Sequence, residues 1–311
     1  DTQDAGAGYD TGRIIATWDP VAGAGIPFRW TGGSPTQGIG ATTTLGQDLE
    51  TNTADMSGQD ALNYLRGDRA LEVAHGGPYR SRSHILGDIV DSAPLYVGAA
   101  VGTYQSTSYY AFEQAHMTRQ PVLYLGANDG MLHAFDATTG NELFAYIPNG
   151  VYSNLIKLTN PYYNEQHQFF VDGSAQASDV QFSDGSWHTE LVSGERAGGS
   201  TVFALDVTDP ASMTTESALA SKVLWEFSDA DMGLSYSTPA IAQTAAGASG
   251  SALGFTVFFG NGYDSPSERP YLYALDPQSG SVRSKIDLCA AVPTACDLTK
   301  ANGLSSVVVV N

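Results

Sequence analysis

The sequence predicts an all-β chain, a β-propeller of four-stranded blades with short helical insertions, forming an incomplete ring over its 311 residues. Three observations lead there. One pattern recurs as Met131-Leu132-His133-Ala134-Phe135-Asp136, Thr201-Val202-Phe203-Ala204-Leu205-Asp206 and Tyr271-Leu272-Tyr273-Ala274-Leu275-Asp276, with the aspartates 70 residues apart in both intervals (206 − 136 and 276 − 206). A fixed period marks a repeated supersecondary unit, and a four-stranded sheet repeated at this length is a propeller blade. Next, Val122-Leu123-Tyr124-Leu125 and Leu143-Phe144-Ala145-Tyr146-Ile147 are apolar at nearly every position. A strand apolar on both faces must be covered on both, as blades stacked around an axis are; a sandwich or a solenoid is the alternative. Finally, glycine is high, 34 of 311 residues or about 11% against a usual ~7%, as expected of many strands joined by tight turns.

The elements follow in order. Asp1-Thr2-Gln3-Asp4 has neither the basic nor the apolar region of a signal peptide. Strands at 13–18 and 26–30 are expected to supply part of one more blade. A Gly/Thr/Ser-rich loop over 31–47 leads to a helix with Ser57 as N-cap, Asp60 three residues on, an apolar face of Leu62 and Leu65, and Gly67 past its end. This N-terminal region occupies 1–84. Residues 85–311 then hold three complete blades and the first strand of another. The expected strands are 92–97, 122–125, 131–136 and 143–147 in blade one. Blade two has 169–174, 190–192, 201–206 and 223–227; blade three has 237–242, 255–259, 271–276 and 281–288. Each repeated Asp opens a turn by accepting backbone N–H groups, and Gly140 and Gly280 supply the positive φ at its close. The second copy departs, with Asp209-Pro210 and a Ser/Thr/Ala-rich insertion to Ser221. Helices are expected over 110–119, stopped by Pro121, and 151–158, stopped by Pro161. Residues 302–307 repeat the opening of a blade, and 307–310 read as its first strand.

Charge narrows the function. With 33 acidic against 14 basic residues the formal net charge is −19, which opposes binding to nucleic-acid phosphates and to an anionic membrane leaflet. No apolar run approaches the roughly 18 residues of a membrane helix. Cys289 and Cys296 flank a short loop and read as a local disulfide, hence an oxidising compartment; two unpaired buried thiols are the alternative. No nucleotide loop, nucleophile elbow or His-Glu-x-x-His motif occurs, and the histidines at 75, 84, 116, 133, 167 and 188 never fall at zinc-ligand spacing. A complete calcium loop is absent. Its nearest approaches are Asp229-Ala230-Asp231-Met232-Gly233 and Asn261-Gly262-Tyr263-Asp264, which read first as turns. Arg66-Gly67-Asp68 spells an integrin-type adhesion tripeptide, although Gly67 already has work as a helix terminator.

The run Arg82-Ser83-His84-Ile85-Leu86-Gly87-Asp88-Ile89-Val90-Asp91-Ser92-Ala93-Pro94 resembles the opening of the C-terminal propeller of the PilY family of type IV pilus biogenesis and tip-adhesin proteins. So do Tyr64-Leu65-Arg66-Gly67, the run from Tyr124 to Asp136, Trp225-Glu226-Phe227-Ser228-Asp229 and Phe259-Gly260-Asn261-Gly262-Tyr263. The resemblance extends over nearly the whole chain from about Arg13. It implies a surface-exposed, pilus-associated protein at the outer membrane or pilus tip, whose propeller serves pilus assembly, extension and adhesion without catalysis. It implies pilin or minor pilin subunits as partners, with a host-surface receptor as a further one. It also implies calcium, held in an Asp-rich loop just beyond 307–310, so that Asn311 stands at most at its edge. Two other readings are a stand-alone surface adhesin or receptor-binding propeller, and a fragment of a quinoprotein-type dehydrogenase, whose blades carry similar Ala-Leu-Asp turns. Partner docking is expected through loops such as 31–56, 159–168 and 260–270, since loops on a rigid scaffold carry recognition.

Overall fold

The protein is described from a computed structural model covering residues 8–31, 39–41, 43–50, 57–249, 252–297 and 299–310. Strands β1 (Ile15–Asp19) and β2 (Ala24–Pro27) form an antiparallel hairpin that turns at Gly23, φ +61°. Blade one is built from β3 (Leu95–Val97), β4 (Val122–Gly126), β5 (Leu132–Asp136) and β6 (Glu142–Ile147), each antiparallel to the next. The hairpin supplies no separate blade: β1 lies parallel to β6, with Ile15 opposite Ala145 and Thr17 opposite Ile147, giving the sheet order β2-β1-β6-β5-β4-β3. Ile15 and Ala16 point to opposite faces and both are buried, so β1 needs a neighbour covered on both sides. The outer edge of blade one is that neighbour, and the Thr17 hydroxyl donates to the Ile147 carbonyl at 2.8 Å.

Blade two contains β7 (Gln176–Gln181), β8 (Trp187–Gly194), β9 (Val202–Asp206) and β10 (Val223–Phe227). Blade three contains β11 (Ala240–Ser249), β12 (Ala252–Gly260), β13 (Tyr271–Leu275) and β14 (Val282–Asp287). Each is a four-stranded antiparallel sheet in chain order. The β-propeller blades expected from the sequence are therefore present, but in each the first strand starts later than expected. Residues 92–94, 169–174 and 237–239 lie outside the strands, and the first and last of these segments are fastened to their own sheets by a serine. The Ser92 hydroxyl accepts from the Gly126 N–H and the Ser237 hydroxyl from the Gly260 N–H, both at 2.8 Å. In blade two the apolar residues Phe170 and Val171 are a core plug, fully buried outside any strand.

The blades meet through backbone. A Cβ on Gly126 would lie 2.2 Å from the Val171 carbonyl, and one on Gly260 would lie 2.4 Å from that of Leu304. The Ala93 N–H donates to the Ser174 hydroxyl and the Thr238 N–H to that of Ser306, both at 3.0 Å. Residues 304–306 thus sit on blade three as 171–174 sit on blade one. The expected strand at 307–310 forms no ladder among the described residues; an isolated Gly262–Leu304 bridge anchors the segment.

Between blades one and two, Tyr124, Phe144 and Tyr146 pack on Leu191, Phe203 and Leu205; between two and three, Val192, Val202 and Trp225 meet Val257, Phe259 and Tyr273. Helices fill the ends. α1 (Thr44–Glu50) and α2 (Gly58–Arg66) share a core with α4 (Tyr152–Leu155), which is one helical turn between 3-10 turns rather than the single helix expected over 151–158. The Ser57 hydroxyl caps α2 by accepting from the Asp60 N–H. α3 (Thr107–Ala115) starts earlier than expected, packing Tyr109 and Phe112 on Trp187. α5 (Glu216–Ala220) lies in the blade-two insertion, and α6 (Leu288–Ala291) follows β14. No helix of the described residues is long and apolar enough to cross a membrane.

Candidate functional site

Up-and-down strands sort the loops onto two faces. Turns between second and third strands emerge with the links from one blade to the next; turns between first and second, and third and fourth, emerge opposite. Loops 159–168 and 260–270 therefore share one face, displaying Tyr162 at 68% and Tyr263 at 44% exposure. α1 packs on α4 and belongs to the same end; the rest of the expected docking loop at 31–56, namely 32–38, 42 and 51–56, lies outside the described residues, as does Asn311. The opposite face carries α3 and the blade-two insertion.

On the loop face the most cation-like site is already filled. Lys285, on β14, places its ammonium 2.6 Å from the Asp229 carboxylate and 2.5 Å from that of Asp231. The Tyr273 hydroxyl donates to Asp229 at 2.8 Å. Burial lowers the Lys285 pKa and the two carboxylates outweigh it, holding the ammonium above its ordinary value; both aspartates are held below theirs. The acidic pair with loop-like spacing is therefore a structural ion triad. Asn261 is fully buried: its amide donates to the Asp231 and Arg269 carbonyls and its oxygen accepts from the Tyr271 N–H. Among the described residues no group of three or more His, Cys, Asp or Glu converges as metal ligands.

Arg66-Gly67-Asp68 is a joint rather than a display. Arg66 is 1% exposed; its guanidinium donates to the carbonyls of Tyr9, Asp10, Arg13 and Phe28 and pairs with Glu216 of α5 at 2.7 Å. It ties α2 to blade two. Gly67 closes α2 with φ +123°, and the Asp68 carboxylate accepts from the Ala70 N–H. Cys289 and Cys296 are joined in a disulfide around the turn that follows α6.

Sequence reasoning missed the buried charge. His133 sits between Glu142, 2.7 Å away, and Asp129, 3.1 Å away, with Arg13 paired to Glu142 at 2.7 Å. Burial alone lowers the His133 pKa; the flanking carboxylates overcome it and hold it up at about 9. Burial likewise raises Glu142, but Arg13 and His133 bring it down to about 2. Blade two carries the reverse case, carboxyl groups with no cation. Glu226 accepts from the Tyr146 hydroxyl at 2.5 Å and the Asn149 N–H at 2.9 Å, and burial pushes it up to about 7. Fully buried Glu195, with one oxygen lacking any partner, is raised by burial and then by the Glu226 charge. Gly150 caps the pair: a Cβ there would lie 2.3 Å from Glu195 and from Thr201. The one signal available was an acidic residue inside the apolar run Leu224-Trp225-Glu226-Phe227.

Comparison with known proteins fits this architecture. The profile of the PilY1 β-propeller domain matches residues 86–311, all three blades and the 304–310 segment. The type IV pilus biogenesis factor PilY1 of Pseudomonas aeruginosa (strain PAK) is 41% identical over 274 residues, covering 84% of this chain and 22% of that protein. The type IV pilus biogenesis factor PilY1 homolog of Xylella fastidiosa (strain Temecula1) is 38% identical over 310 residues, covering 93% and 23%. The crystal structure of the Pseudomonas aeruginosa PilY1 C-terminal domain superposes with a TM-score of 0.52 at 35% identity, over 70% of this chain and 40% of that one. The chain thus spans about a fifth of the length of these curated relatives. With the expected blades present and the family profile matching across them, the chain belongs to the PilY1 β-propeller family.

Proposed function

We propose that this chain is the propeller portion of a type IV pilus biogenesis factor, acting at the bacterial surface through protein contacts and without catalysis. The observation that carries the reading is the family match across all three blades, joined to relatives named as pilus biogenesis factors. The geometry agrees with a scaffold. His133, Arg13, Lys285 and their carboxylates are spent in internal ion pairs, while Tyr162 and Tyr263 stand out on the loop face. Amphipathic tyrosines of this kind are favoured at protein interfaces. The partners proposed are pilin or minor pilin subunits, met on that face.

The test is genetic and biochemical. In the source bacterium, deleting the full-length gene should abolish or sharply reduce surface pili, and the intact gene should restore them. A doubly substituted gene, Tyr162→Asp with Tyr263→Asp, should yield a stable protein that no longer cross-links to pilins. Normal piliation after deletion would overturn the proposal.

A further inference from the structure

We infer that the cleft at the propeller axis, between the innermost strands of blades two and three, takes an uncharged extended polypeptide segment by strand addition. The inference goes beyond the pilus reading and does not depend on it. The cleft has a volume of about 890 Å³ and is lined by Gln176 and Ser178 of β7, Ala240 to Gln243 of β11, Thr103 to Gln105, and Val307 to Val309. That size is near the upper end for ligand clefts, ~300–1,000 Å³.

Charge is its first distinguishing feature. In a chain of net charge −19, none of the lining residues is charged. The cleft draws on the two longest uncharged stretches of the sequence, 232–263 and 92–112, and on 301–311. A charged segment entering it would lose part of its hydration and find no counter-ion among the lining residues. An uncharged segment avoids that cost, and it meets carboxamides and hydroxyls at Gln105, Gln176, Gln243, Thr103, Ser178 and Thr238.

The second feature is open backbone. β7 pairs only with β8, and β11 only with β12, so both strands that border the cleft present an edge with no ladder among the described residues. Natural sheets blunt such edges with short strands, charges or proline. β3, the innermost strand of blade one, is three residues long, and β7 carries Asp179. β11 is ten residues long with neither charge nor proline within it. An added strand would pair its N–H and C=O groups with that edge, which is how sheets recognise extended peptides. A neutral oligosaccharide would find the same hydroxyls and amides but would leave the strand edge unused.

The test uses the whole chain and an end-blocked, fluorescein-labelled Thr/Val/Gln peptide of about ten residues, long enough to match β11 at ~3.3 Å per residue. Three companions are a version with two lysines, a version with two glutamates, and a version with alternate backbone amides N-methylated. The neutral peptide should bind by anisotropy and slow hydrogen exchange at residues 240–245. Both charged versions should bind at least tenfold more weakly, and N-methylation should abolish binding. Ala242→Glu, at a half-buried position on the cleft wall, should weaken the neutral peptide at least tenfold while leaving the urea midpoint unchanged. Equal binding of charged and neutral peptides, binding that survives N-methylation, displacement by maltoheptaose, or no protection of 240–245 would each overturn the inference. The N-methylated peptide needs no altered protein, so the test stands even if Ala242→Glu misfolds.

Discussion

Glu226 offers a quantitative test of the interior of blade two. Its carboxyl group, accepting from Tyr146 and Asn149, is pushed by burial from an ordinary value of 4.5 up to about 7. A raised acid pKa means that the folded protein keeps a proton that the unfolded chain releases between those values. Stability from this group is therefore fully present below pH 4.5 and is lost as pH rises toward 7, by about 1.4 kcal/mol per unit. Over the whole window the loss comes to about 3 kcal/mol. Glu226→Gln keeps the acceptor oxygen for Tyr146 and Asn149 but cannot ionise. Urea unfolding of both proteins at pH 5, 6, 7 and 8 should show the wild type weakening relative to Glu226→Gln, with the gap opening between pH 5 and 7 and then flattening. His133, held at about 9, also loses its contribution as pH rises, but above its unfolded value of 6.5 and equally in both proteins, so the difference curve excludes it. A difference that stays level from pH 5 to 8, or that closes as pH rises, would refute a proton held at Glu226.

Three further outcomes follow from the same geometry. Lys285→Met leaves Asp229 and Asp231 facing each other without a cation; millimolar calcium should then raise the melting temperature of the variant and leave the wild type unmoved, as read by thermal shift. Gly150→Ala drives a methyl group to 2.3 Å from Glu195 and Thr201, and should cost about 1–3 kcal/mol in urea unfolding; an unchanged midpoint would show that the lid over the carboxyl pair is slack. Arg66→Met strands the buried carbonyls at the joint and leaves Glu216 to Arg29 alone, for a loss of roughly 1–3 kcal/mol in the same assay; an unchanged midpoint would show that the joint does not depend on Arg66.

What the sequence made legible was local. Asp136 and Asp276 each accept two backbone N–H groups from the residues two and three places on, and Gly140 and Gly280 close those turns at φ +74° and +66°. Turn chemistry of this kind is written within five residues, so a period of 70 could be recognised without any tertiary contact. Asp206, where the pattern broke, still accepts from the N–H two places on, that of Thr208, but its other oxygen meets Lys222 just past the insertion and His188 on β8. Phe169-Phe170-Val171 misled because an apolar run looks the same whether it pairs as a strand or plugs a junction. The hairpin β1–β2 misled for a related reason: its strand character is local, but the sheet it joins is chosen more than a hundred residues away. Glu195 and Glu226 were hidden because burial depends on neighbours the sequence does not name. For the loop face, the tyrosines were visible, but their shared side follows only from the strand order.

The glycine excess and the blade joint are one fact. At the end of each second strand a glycine meets the segment leading into the next blade: Gly126 against Val171, Gly194 against Ser235, Gly260 against Leu304. At the first and third joints a Cβ would stand well inside contact distance of a carbonyl oxygen, and at the second it would lie 3.0 Å away. Blades that dock backbone to backbone in this way need glycine at a fixed place in every repeat, whatever side chains fill the layers between them. That requirement explains how the aromatic layer between blades one and two and the Trp225-centred layer between two and three can differ while the blade spacing is kept. It also explains why Ser174 and Ser306 play the same part at joints whose surrounding sequences share little else. Side chains add different ties at the two joints: Arg66 to Glu216 and Tyr146 to Glu226 between blades one and two, and between two and three the Trp225 indole donating to the Pro277 carbonyl at 2.7 Å, the Leu253 N–H donating to Gln181 at 2.7 Å and the Ser183 hydroxyl donating to Gln278 at 2.9 Å.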